Sequence, residues 1–167
     1  MLFIKGENMK TFAIGIVVIS LVGCANIKVT APSDYAVDRS QTYKIPFEKV
    51  WVSAVDWFAD HNVTIEKIEK GSGLITAKYL LKASNEFLDC GKIEVNGTLG
   101  PANIQSLGAL NVTVRNVSDS ETKVNVNFFG EYKLDGHDAW DGRAVSRAGR
   151  CVSTGNLEKD ILKYIGR

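Results

Sequence analysis

The alternation of apolar and polar positions changes period several times along the chain, and each change marks an element. Residues 12–22 are apolar except for Gly15 and Ser20. From Ala25 to about Ser40 there is little periodicity, and Pro32, Ser33 and Asp34 mark a turn or tether. Gln41 to Ile45 reads as a short strand. After Pro46, residues Phe47, Val50, Trp51, Ala54, Val55 and Phe58 follow the i, i+3, i+4, i+7 series, with Glu48, Lys49, Ser53, Asp56 and Asp60 opposite. This predicts an amphipathic helix with Pro46 in its first turn and His61-Asn62 at its end. Trp51 and Phe58 lie in the stripe, and Trp57 at its edge is expected half-exposed.

The period then shortens to two. Val63, Ile65 and Ile68, a turn at residues 70–73, and Leu74 to Leu81 predict a hairpin. Residues 87–99 suggest another strand after Cys90. Leu110 to Val117 and Thr122 to Tyr132 alternate cleanly on either side of a polar turn, as an antiparallel pair with one dry and one wet face. Residues 134–150 look irregular and charged. A Ser or Thr followed by Glu158, then Leu157, Ile161, Tyr164 and Ile165 at helical spacing, predicts a terminal helix. Strand, helix, several antiparallel strands and a helix in that order define an α+β class: an antiparallel β-sheet packed on one face by two helices.

Charge and composition refine the boundaries. Residues 9–24, MKTFAIGIVVISLVGC, have a basic start at Lys10, an apolar run too short to span a bilayer, and a cysteine directly after Val22-Gly23. This is the pattern of a bacterial lipoprotein signal. It predicts a signal peptide over residues 1–23 with translation starting at Met9, a diacylglycerol on the Cys24 thiol, and a further acyl chain on the new amino terminus. Two or more chains make such attachment stable. Ala25, where an aspartate would favour inner-membrane retention, points to the periplasmic face of the outer membrane. Residues 24–40 are then a lipidated tether and 41–167 a single domain.

Loss of residues 1–23 removes Lys5, Lys10 and Glu7, so the 20 basic and 19 acidic residues of the full chain become 18 of each. A mature charge of zero argues against a nucleic-acid surface or a polybasic lipid patch. With Cys24 acylated, Cys90 and Cys151 remain, and in an oxidising compartment they are expected as a disulfide, worth on the order of 3–4 kcal/mol.

The signal ending in Cys24, the helix opening Ile45-Pro46-Phe47-Glu48-Lys49-Val50-Trp51, the strand Gly73-Leu74-Ile75-Thr76 and the last-helix start from Cys151 to Glu158 together resemble a family of envelope lipoproteins. The resemblance is to the helix-grip domains of BamC-like lipoproteins of the β-barrel assembly machinery, over roughly residues 40–165. That family carries two such domains, and this chain has room for one. The anchor, the zero mature charge and the absence of a catalytic constellation point to a non-enzymatic protein-binding or envelope-assembly accessory with an envelope protein as partner. A carrier of lipid or another apolar ligand, held between sheet and helices, is the alternative by fold analogy.

Other candidate chemistry is sparse, and no cofactor is expected. Cys151 with His137 and Asp138 could form a thiol site, but no nucleophile motif surrounds it and Cys90 competes for it. Cys90, Cys151, His137 and His61 lack the paired spacing of a zinc site. Asp135, Asp138 and Asp141 recur every third residue without EF-hand spacing, and read as a solvated acidic loop. Trp140 stands among charges. Either it folds back over the sheet edge, the favoured expectation, or it is an interaction anchor with Arg143, Arg147 and Arg150 available for a carboxylate or phosphate.

Overall fold

The computed structural model describes residues 26–82, 86–97 and 99–167. The Met9–Cys24 segment, the acylation site Cys24 and the sorting position Ala25 lie outside the described residues. In chain order the elements are β1 (Asn26–Thr30), β2 (Ser40–Tyr43), α1 (Phe47–Asp60), β3 (Ile65–Glu69), β4 (Leu74–Lys82), β5 (Leu88–Asp89), β6 (Lys92–Asn96), β7 (Asn103–Ser118), β8 (Glu121–His137), β9 (Ala144–Ser153) and α2 (Asn156–Ile165). The protein is α+β, with antiparallel sheets and two helices.

The main sheet has the order β3-β4-β7-β8-β9-β5. Its spine is the hairpin of β7 and β8, paired from Asn103↔Asp135 to Ser118↔Glu121. At about 3.3 Å per residue, the 17 residues of β8 span roughly 55 Å. On the far side of β8 from β7, β2 pairs with residues 122–125 and β9 with residues 130–137, so two short strands share one long edge.

One end of this spine carries the helices. Leu110, Val112, Val114, Val124, Val126 and Phe128 point to one face and are buried under Val50, Trp51, Ala54, Trp57 and Phe58 of α1 and Leu157, Ile161, Leu162 and Ile165 of α2. Trp57 is 2% exposed, not half-exposed as its place on the stripe suggests. The second helix explains this: α1 touches α2 as well as the sheet, so its apolar face is wider than a single contact requires. Pro46 caps α1 rather than opening its first turn, and its carbonyl accepts from the Lys49 and Val50 amides. The Tyr43 hydroxyl donates to the Leu162 carbonyl (2.6 Å), tying β2 to α2, and burial pushes this phenol up to about 12.

The other end is built differently. Residues 134–150, expected to be irregular, continue β8 to His137, turn, and return as β9. The alternation was present but disguised. Tyr132, Leu134 and Gly136 face inward, while Glu131, Lys133 and Asp135 face out. The inward positions of β9 are Val145, Arg147, Gly149, Cys151 and Ser153, and Gly149 leaves room for the Tyr132 ring, which a Cβ there would meet at 2.5 Å. From β5, paired to β9 through Leu88↔Ser153, the chain crosses to the β8 terminus, where Leu99 bridges Asp138 and the Gly100 amide donates to the His137 carbonyl (2.9 Å). The crossing covers a sheet surface adapted to it. A Cβ on Gly130 would stand 2.4 Å from Leu88 Cδ1, so a side chain there would push Leu88 off its seat.

The segment at 24–40 carries more structure than the expected tether. β1 pairs with β6 from Asn26↔Asn96 to Thr30↔Lys92, forming a separate two-stranded sheet. Ile27, Val29, Ile93 and Val95 share one face of it, and Lys28 and Glu94 the other. This alternation is only five residues long on each strand, too short to stand out in the sequence.

Candidate functional site

Three surfaces carry the residues that could do chemistry or bind. The first is the β8–β9 turn. Asp138 is buried, and its Oδ1 accepts from the Trp140 amide (2.8 Å) while its backbone pairs with Arg143 and Gly142. Asp141 Oδ1 accepts from the Arg143 amide (3.0 Å), and its other oxygen pairs with the Arg143 guanidinium. Each aspartate thus closes a local turn through its own side chain, which is why aspartates recur here. Asp135 pairs with Lys133 (3.1 Å), whose ammonium holds the carboxyl below its usual range. Among the described residues no three metal-ligating side chains converge, and the three aspartates each have a local partner.

Trp140 at this turn does not fold back on the sheet. The side chain stands 86% exposed at the tip, which corrects the expectation that it covers an edge. Arg143 sits at the base of the turn and Arg147 four residues further on, in β9 opposite Leu134. Arg150 belongs elsewhere, because it lies opposite Glu131 on the other face of β9.

The second surface is that opposite face, away from the helices. Lys78, Leu107, Ala109, Phe129, Glu131 and Arg150 lie side by side through the pairs Lys78↔Ala109, Ala109↔Phe129, Leu107↔Glu131 and Glu131↔Arg150. They line an open cleft of ≈560 Å³ whose floor reaches the backbone of Gly130 and Cys151. Phe129 is 46% exposed, and Val152 beside it is also exposed. Lys78 pairs with Glu66 (2.9 Å) at the rim. Sequence reading missed Phe129 as a surface residue. The doublet Phe128-Phe129 sends one ring to each face of the strand, and that was the available signal.

The third surface runs along α2, where Ala36, Asp38, Gln41, Asn156, Lys159 and Lys163 edge a shallow, polar groove. Nearby, Ser153 Oγ donates to Glu158 Oε2 (2.6 Å) and accepts from the Gly155 amide (3.0 Å). The helix starts where expected, but its N-cap is Gly155, with a left-handed φ of 88° and no side-chain cap, and Ser153 at the end of β9 instead holds the Glu158 carboxylate. Glu158 is 0% exposed, with Oε1 lacking a protein partner.

The remaining combinations come apart in space. Cys151 lies opposite Gly130 and His137 opposite Ala144, so seven rungs, roughly 23 Å, separate His137 from Cys151. His61 closes α1, stacked on Trp57 with its Nδ1 against the Trp57 carbonyl (2.7 Å). Neither histidine approaches a cysteine. The Cys90 and Cys151 sulfurs are at disulfide distance, 2.03 Å, closing 61 residues of separation. Asp89, next to Cys90, accepts from the Ser33 amide (3.0 Å), the Gly91 amide (2.7 Å) and the Tyr35 hydroxyl (3.0 Å). These backbone donors, Ser33 first, hold its carboxyl below the ordinary range, and the same carboxylate raises the Tyr35 phenol.

No protein-family model matches the chain, and no curated protein matches it. Among the described residues no helix is long and apolar enough to cross a membrane.

Proposed function

We propose that this chain is a lipoprotein, acylated at Cys24 and held on the periplasmic face of the outer membrane, whose single domain is an accessory that binds an envelope protein. Its helices, packed on one sheet face, fit a helix-grip-like domain similar to those of BamC-like lipoproteins. The leader pattern supports the anchor, and the paired Cys90 and Cys151 suit an oxidising compartment. The observation that carries the binding role is the helix-free sheet face, where Phe129 stands half-exposed between Lys78, Glu131 and Arg150. An aromatic in a shallow apolar cleft with charges at its rim is the composition of a binding hot spot. The test is a photo-crosslinking amino acid at Phe129 in intact cells. The expected result is a discrete adduct with an envelope protein, and acylated protein that yields no adduct overturns the reading.

A second reading, a carrier of an apolar ligand, is favoured by the size of the same cleft, which falls in the range of small-molecule sites. The position differs from the one expected. The interior between sheet and helices is filled by Trp57, Phe58 and Phe128, whereas Leu107, Ala109 and Phe129 offer apolar surface outside, with Arg150 placed to meet a carboxylate. Native mass spectrometry of the purified protein checks this, since a carrier retains a co-purified ligand.

A further inference from the structure

The chain enters the fold at the same end of the molecule at which Trp140 projects. Asn26, the first described residue, pairs with Asn96 at the terminus of β6; three residues later Leu99 bridges Asp138; two residues beyond that is Trp140. β1 runs from this end inward toward Gly91, and β8 runs outward to it, so both point their outer ends the same way. Cys24 precedes Asn26 by two residues, a reach of at most about 7 Å. The two helices lie at the opposite end of β8.

We propose that the β8–β9 turn docks on the lipid surface in which the Cys24 acyl chains sit, with Trp140 at headgroup level. The inference rests on the lipoprotein reading and goes beyond it, because an anchor alone fixes no orientation. With only Ala25 between the acylated Cys24 and a paired strand, the domain cannot stand off from the bilayer. The end carrying β1 and the tip must face it. A tryptophan presented at a membrane–water boundary is in its favoured place, its ring in the apolar margin and its indole N–H toward water and phosphate. Arg143, paired with Asp141, sits beside it in the turn, and Arg147 lies three rungs back along β9, its long apolar stem able to extend toward headgroup phosphates. Between residues 133 and 147, Lys133, Arg143 and Arg147 balance Asp135, Asp138 and Asp141. The contact is therefore made by the ring and does not depend on anionic lipid. Docking in this way turns the Phe129 face sideways, free for a partner.

The test uses the acylated full-length product in phosphatidylethanolamine–phosphatidylglycerol vesicles. Trp51 and Trp57 are buried, so the difference in emission between the wild type and Trp140→Phe isolates Trp140. The expected result is emission shifted to shorter wavelength, quenched by brominated lipid chains and several-fold less accessible to acrylamide than in unacylated Cys24→Ser protein in buffer. The effect is unchanged when the phosphatidylglycerol fraction is varied. An acylated protein whose Trp140 stays fully open to acrylamide and untouched by brominated lipid overturns the docking while leaving the anchor intact. Mass spectrometry showing no acyl group on Cys24 overturns the anchor, and the docking with it. Protection of Trp140 in native envelopes but not in protein-free vesicles assigns the tip to a protein contact and also overturns the proposal.

Discussion

The two ends of the β7–β8 hairpin continue one hydrogen-bonded ladder but are covered by different means. At the helical end the sheet presents Val112, Val114, Val126 and Phe128, and the cover is two amphipathic helices contributing large side chains. At the far end the same face presents Ser106, Gly108, Leu134 and Gly136, and the cover is the thin crossing of β5 and β6 with β1 laid against it. Small residues beneath a thin layer bury less apolar area, so hydrophobic burial contributes less there. Fixed links take its place: the Cys90–Cys151 bond, the Leu99–Asp138 bridge and the hydrogen bonds converging on Asp89. One end is held by packing and the other by pins, and the proposed membrane contact belongs to the pinned end.

The sharpest way to break this contrast is at its two most different tryptophans. Trp57→Ala removes a fully buried ring at the junction of α1, α2 and the sheet, and should lower stability by about 3–5 kcal/mol in urea unfolding. Trp140→Ala removes the exposed ring at the tip and should stay within about 0.5 kcal/mol of the parent. A large loss from Trp140→Ala would mean that the tip is packed after all. The next largest effect is expected from the pin itself. Replacing Cys90 and Cys151 together by serine frees a link spanning 61 residues and should cost up to about 4 kcal/mol. The loss should be uneven: amide exchange in β1 and β6 should accelerate at denaturant concentrations that leave α1 protected. Equal acceleration in both regions would show that the two ends unfold as one unit.

Ser153 stands where the two regimes meet, at the end of β9 and the start of α2. Ser153→Ala removes the donor to Glu158 Oε2 and leaves a buried carboxyl without its protein partner. The expected cost is about 1–3 kcal/mol, measured by thermal or urea unfolding. No measurable loss would indicate that solvent reaches Glu158 and satisfies it.

The helical end was legible in the sequence because its pattern is amphipathic over long windows: the α1 stripe, the α2 stripe and the alternation of residues 110–117 and 122–132 all survive in the fold. The pinned end was not, for reasons its composition explains. Gly108, Gly130 and Gly136 occupy inward positions where a hydrophobic residue would have signalled a strand, and at Gly130 the crossing comes within 2.4 Å of where a Cβ would stand. The aspartates of the β8–β9 turn looked like an irregular acidic loop, yet they hold backbone amides that shape a tight hairpin. Cys90 and Cys151 were paired in advance by elimination in an oxidising compartment, a chemical rather than a periodic argument. The exposed sheet face was harder to read because outward residues of a strand carry no partner information, and only the Phe128-Phe129 doublet marked it.

The smallest expected effect tests whether the pins act independently of the packed core. Asp89 receives the Ser33 and Gly91 amides and the Tyr35 hydroxyl, which hold its carboxyl below the ordinary range. A carboxyl depressed in the folded protein binds its proton less readily there than in the unfolded chain, where aspartate titrates near about pH 3.9. Its contribution is therefore complete above about pH 4 and is lost as the pH falls through the lower folded value. The group is near the surface, so solvent screening keeps the energetic effect small, and the change should be local. The amide resonances of Ser33 and Gly91 should titrate together, with a midpoint below that of free aspartate, while amides of α1 and α2 do not move. Asp89→Asn should abolish this titration and leave the helices unchanged. A midpoint at or above the ordinary aspartate value would show that Asp89 does not hold the segment after β1. The crossing would then rest on the disulfide and the backbone bridge.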